Sequence, residues 1–245
     1  MLRALKLTSA VELLREKQKD YRNIVLIQVT IIVLGLTLSQ FLMEANTTPA
    51  GRAATTIFSF FGALYSFLMW DMLRNFTQNK TLLRLLFVIL CAVVAIGLLS
   101  EFPYYRILPF ENRQLILFIL HASVFPLEVT VIGFAIRDIF SGDYLTPDKL
   151  WGSACIYLMI GICFGSLYDL ICIVRPGSLG EMIPLGLPNY GECVTYSLSI
   201  LGGMDPDYPN AHKLIRNISV LEAVWSNLFV VLIIGKLLGL PRAPK

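Results

Sequence analysis

The sequence predicts an all-α membrane protein with six transmembrane helices and a shorter, re-entrant helical stretch between the fifth and the last. Three observations predict this. Of 245 residues, 56% are hydrophobic and only 15% charged, whereas soluble domains are about a quarter charged. Six apolar stretches each approach the roughly 20 residues that a helix needs to cross the hydrocarbon of a bilayer. The basic residues fall at the ends of those stretches, and mostly on one side.

Residues 1–22 come first. They carry Arg3, Lys6, Glu12, Arg15, Glu16, Lys17, Lys19, Asp20 and Arg22, with Leu2, Leu5, Leu7, Val11, Leu13 and Leu14 at loose helical spacing. No short apolar core with a small-residue cleavage site follows, so a secretory signal is excluded. The pattern predicts an amphipathic helix on the cytoplasmic face, or an ordinary cytoplasmic extension; either offers a docking place for a cytoplasmic protein partner. The six spans are expected at 24–43, 53–73, 82–100, 114–136, 150–174 and 214–240. Segment 183–205 is rich in Gly and small polar residues, too broken to cross, yet apolar enough to enter the membrane. Such backbone survives at membrane depth only when buried in protein or lining water.

The charges test the count. With the N-terminus inside, fourteen of the 20 Lys and Arg lie on inside segments and six outside. This bias predicts six crossings with both termini cytoplasmic. It requires 183–205 to enter and leave on the same side. The organisation expected is therefore an N-terminal helix over 1–22, a four-helix peripheral unit over 23–140, and a unit over 149–245 holding two spans and the re-entrant stretch. A net charge of +3 gives no reason to expect nucleic acid. Cys91, Cys155, Cys163, Cys172 and Cys193 are scattered without a CxxC pair, which reads as buried small apolar residues rather than disulfides or metal ligands. No nucleophile–base pair, metal-spaced cluster or phosphate loop points to an enzyme. No internal repeat points to a secondary transporter. No cofactor is expected.

Segment 193–205 reads Cys-Val-Thr-Tyr-Ser-Leu-Ser-Ile-Leu-Gly-Gly-Met-Asp. It resembles the pore helix and filter of the potassium channel family, where a run such as T-L-T-T-L-G-Y-G-D holds this place between two spans. Ser197, Leu198, Ser199 and Ile200 match T-L-T-T, and Leu201, Gly202, Gly203, Met204 and Asp205 match L-G-Y-G-D. Leu221-Glu222-Ala223 and 232–240 look like the inner helix of small bacterial six-helix members, and Tyr157–Gly161, Tyr168 and Pro176-Gly177 look like their outer helix and turret. The likeness covers about residues 150–240.

The resemblance implies a pore helix and filter loop between helices five and six, a homotetramer in the plasma (bacterial inner) membrane, and passive conduction of monovalent cations such as K+ or Na+. Filter carbonyls would replace the ion's water shell. Three departures stand out: Ile200 lacks the threonine hydroxyl, Gly203 replaces the aromatic, and Met204 replaces the second glycine. They argue against strict potassium selectivity, and they leave open a non-conducting sensor or scaffold that keeps the fold. On the same alignment Ser199–Asp205 line the ion path and Asp207 joins Asp205 at the outer mouth. Trp225, Ser226, Asn227, Val230 and Ile234 line the inner helix.

Ionisable residues at bilayer depth need partners. Glu222 is expected to brace the pore helix through Ser197 or Ser199, or to meet Arg216 of a neighbouring copy. Asp169 needs a partner that the sequence does not name. His121 and Glu128, seven apart, share a face of the fourth span, either as interhelical hydrogen-bonding groups or as a proton or metal site. Asp71 and Arg74 read as a pair at a helix end. The fourth span has basic residues only at Arg113 and Arg137, so it is not a voltage sensor.

Overall fold

The computed structural model describes residues 2–43, 48–77, 79–101, 113–141, 144, 146–205 and 207–239, without the side chains of 2–17, Ser39, Asn75, 98–101 and Leu237. Seven helices account for most of them: α1 (Leu2–Met43), α2 (Pro49–Phe76), α3 (Lys80–Glu101), α4 (Arg113–Phe140), α5 (Pro147–Val174), α6 (Leu187–Leu201) and α7 (Lys213–Gly239). All but α6 are long and apolar enough to cross a membrane.

Local chemistry sets several of the ends. Thr48 caps α2, its hydroxyl accepting from the Gly51 amide at 3.0 Å, and Pro49 fills the first turn where no amide is needed. Pro147 does the same for α5. The Asp71–Arg74 pair expected near the end of α2 is present at 3.0 Å.

One expectation about helix boundaries changes. Residues 2–22 are not a separate helix. They run without interruption into the first span, so α1 is 42 residues long. The charge boundary near Arg22 is a change of surface, with no Gly or Pro there to break the backbone. A single core cluster holds residues of all seven helices. Tyr21 of α1 donates to Asp138 of α4 at 3.2 Å, and both helices flank Gly152 of α5.

α5 is the most buried span and lies at the centre, packed by α1, α4, α6 and α7. α7 sits at the edge. Its buried residues, Ile215, Ser219, Glu222, Ser226, Phe229 and Ile233, recur every three or four positions and make one stripe. Such a stripe faces a single neighbour surface. The rest of α7 is bare and apolar, with Leu221, Val224, Trp225, Leu228, Val231 and Leu238 all more than half exposed.

Candidate functional site

α6 lies antiparallel against α5. Asn189 meets Asp169, Val194 meets Gly165, Ser197 meets Gly161, and Leu201 meets Tyr157. Close approach demands the glycines. A Cβ on Gly165 would stand 2.7 Å from Val194 Cα, and one on Gly161 would stand 2.8 Å from a Leu198 methyl. At 15 residues α6 is about 22 Å long, short of the roughly 30 Å of hydrocarbon in a bilayer. It reaches Tyr157, some 17 residues and about 25 Å back from the end of α5.

The chain after α6 turns back. The Tyr208 hydroxyl donates to Glu192 at 2.9 Å, the His212 amide donates to the Ser178 carbonyl at 2.7 Å, and Arg175 donates to the His212 ring at 2.9 Å. Residues 187–212 therefore begin and end beside the C-terminal end of α5. Burial, with the Glu192 carboxylate beside it, raises the Tyr208 phenol above its ordinary range, so it stays a donor at neutral pH.

The turning point holds the residues matched to a filter. Ser199, Ile200 and Leu201, matched above to filter residues, are the last turn of α6. Gly203, at φ 68°, is the left-handed residue of a Schellman cap: the Met204 amide donates to Ser199 and the Gly203 amide to Ile200. The Leu198 carbonyl accepts from Gly202, and the Leu201 carbonyl accepts from the Tyr157 hydroxyl at 2.8 Å. These four carbonyls have donors within the chain. A Gly-Gly pair serves a helix end as readily as a filter, because both need a residue free of the Cβ penalty. Gly202, Gly203, Met204, Asp205 and Asp207 are exposed at and beyond the cap.

Behind α6, the buried Glu222 carboxyl of α7 contacts Ser197 Oγ and accepts from Tyr168 at 2.6 Å. Of the partners considered from sequence, this selects Ser197. Arg216 is exposed and off the buried stripe. Ser197 has one hydroxyl proton, and the Gly161 carbonyl also stands 2.6 Å from its Oγ. Every hydrogen is placed when Glu222 carries a proton and donates to Ser197, which donates to Gly161. The cluster ties α7, α6 and α5 together at one level. Ser226, aligned with the inner lining, instead lies in the buried stripe, while Trp225, Asn227, Val230 and Ile234 are exposed.

Asp169 finds the partner that sequence could not name. His121 Nδ1 of α4 contacts one carboxylate oxygen, and Asn189 of α6 donates to the other at 2.6 Å. His121 thus makes an interhelical bond. Sequence reading missed Asn189, Tyr190, Ser166, Tyr65 and Gln28, which gather on this side. Their one legible signal was a polar group inside an otherwise apolar run, as with Gln28 in α1.

Among the described residues these features define an all-helical protein with six candidate membrane spans and one short helix, α6, after which the chain returns to the end of α5 where that helix began. Compared with known proteins, the chain matches no family model, no curated protein and no solved structure.

Proposed function

We propose that the protein is a homotetrameric cation channel of the lipid bilayer in which 187–212 dips into the membrane and leaves on the side it entered. What carries this reading is the excursion itself: a helix too short to cross, running down a central span, followed by a return to the same end of that span. The bare apolar side of α7 and the exposed Gly202–Asp205 turn are surfaces that four copies would bring to a common axis. Carbonyls from Gly202 onward, with rings of Asp205 and Asp207, would draw cations in by charge without strict potassium selectivity. α1–α4 stand outside as support, and α4 carries no ladder of basic residues to sense voltage.

Purified protein in planar bilayers tests the reading. Unitary cation currents are expected, and Asp205→Asn should lower conductance by about half at low salt and less at high salt, where screening already weakens the ring. Silence over a range of ions, pH and voltage would refute conduction. One observation favours a second reading, a non-conducting sensor or scaffold: the Leu198–Leu201 carbonyls are spent on donors within the chain. Silent bilayers together with a co-purifying cytoplasmic protein released by removing residues 1–22 would select it.

A further inference from the structure

A cavity of about 200 Å³ lies among α1 to α6, away from the α6–α7 flank. Its walls are mostly aliphatic and aromatic, and among the polar lining residues are Tyr65, His121, Glu128, Ser166 and Tyr190. Volumes of about 150 Å³ suffice for a benzene ring in an apolar cavity.

Ser166 is shared by Glu128 and Tyr190, and Gln28 is buried beside Tyr65, so the chain satisfies these polar groups only in part. Glu128 is 2% exposed, Tyr65 5% and Gln28 0%. Yet Glu128 Oε2, the Tyr65 hydroxyl and both amide atoms of Gln28 have no hydrogen-bond partner. Buried polar groups are partnered in the great majority of cases, because an orphan is desolvated with nothing in return. Two of these groups, Glu128 and Tyr65, line one void and point to an occupant that supplies hydrogens. An ionised carboxyl only accepts, and a phenolic hydroxyl can accept, so Glu128 and Tyr65 can both take a hydrogen from an occupant. No Lys or Arg is among the described lining residues, so nothing there would neutralise an anion. The described residues hold no group of three or more His, Cys, Asp or Glu suited to a bare metal ion. His121 also lines the cavity but is engaged by Asp169. Aromatic faces of Tyr65 and Tyr190 border the same space, and such faces attract organic cations.

We infer that this cavity binds a small organic ammonium ion with an apolar body of about one ring. The ammonium donates to Glu128 and Tyr65, and the body fills the space beside Gly62 and Gly97. A Cβ at either glycine would meet nothing within 4 Å, which marks the room available.

The test uses the full chain in lipid nanodiscs, with protein-free discs as the blank for partition into lipid. The probes are benzylamine, benzyl alcohol and benzoate, which share one ring and differ in the polar group. Benzylamine is expected to bind saturably, benzyl alcohol about tenfold more weakly because its donor is uncharged, and benzoate not at all. Glu128→Gln should bring benzylamine down to the level of the alcohol. Gly62→Leu, which fills the cavity and leaves Glu128 in place, should abolish binding of both. Equal affinities for amine and alcohol, benzylamine affinity unchanged in Glu128→Gln, or no saturable binding would overturn the inference. If Glu128→Gln does not fold, Gly62→Leu decides: benzylamine binding retained in that variant overturns the inference, and binding lost supports it. The outcome is independent of whether the protein conducts ions.

Discussion

Replacing Glu222 in two ways tests how α7 is held. The carboxyl is fully buried, contacts Ser197 and accepts from Tyr168. Glu222→Ala removes both hydrogen bonds, each worth about 1 kcal/mol net. It also strands the Tyr168 hydroxyl, on a side chain 0% exposed, at a further cost of about 1 kcal/mol or more. The expected loss is therefore about 3 kcal/mol. Glu222→Gln behaves differently, because the hydrogens decide it. Ser197 can give its proton to Gly161 only if residue 222 donates to Ser197. A glutamine amide does so, and its carbonyl accepts from Tyr168 as before. The expected loss is less than about 1 kcal/mol. Unfolding of the purified protein in mixed micelles titrated with SDS, followed by Trp225 fluorescence and circular dichroism, reads both values. If the glutamine variant is as unstable as the alanine variant, the carboxyl is ionised and the placement of hydrogens is wrong.

Three other perturbations follow from the seat of α6. Gly165→Ala puts a methyl 2.7 Å from Val194 Cα and should cost about 1–3 kcal/mol by overpacking, measured by the same unfolding. Gly203→Val should cost about 1–2 kcal/mol because of the left-handed backbone, and Gly203→Asn clearly less. Tyr157→Phe removes the donor to the Leu201 carbonyl and should cost about 1 kcal/mol. It should also speed amide exchange at Gly202–Met204, and unchanged exchange there would show that the bond does not hold the cap.

The spans were legible because lipid imposes a strong rule. Apolar runs near 20 residues have few other uses, and six were expected where six candidate spans stand. The seat of Glu222 was partly legible, since a lone acid in an apolar helix must find a donor, although Ser197 was one of several choices. The partner of Asp169 was not legible. His121 and Asn189 come from different helices, and no spacing within either reveals the meeting. The continuity of α1 was not legible for a different reason: the charge pattern shifts near Arg22, while the backbone, lacking a breaker, passes straight through. At 199–203 the local signal was ambiguous in itself, because paired glycines suit both a capped helix end and a line of carbonyls. The orphaned polar atoms of Gln28, Tyr65 and Glu128 emerge only when three helices are brought together.

The central claim concerns which way α6 goes. In a functional background without native cysteines, Glu181→Cys and Asp207→Cys flank α6 on its two sides along the chain and both positions are exposed. Labelling each in oriented vesicles with a membrane-impermeant maleimide compares their sides directly. The account predicts that both react from the same side of the bilayer, and reaction from opposite sides would contradict it.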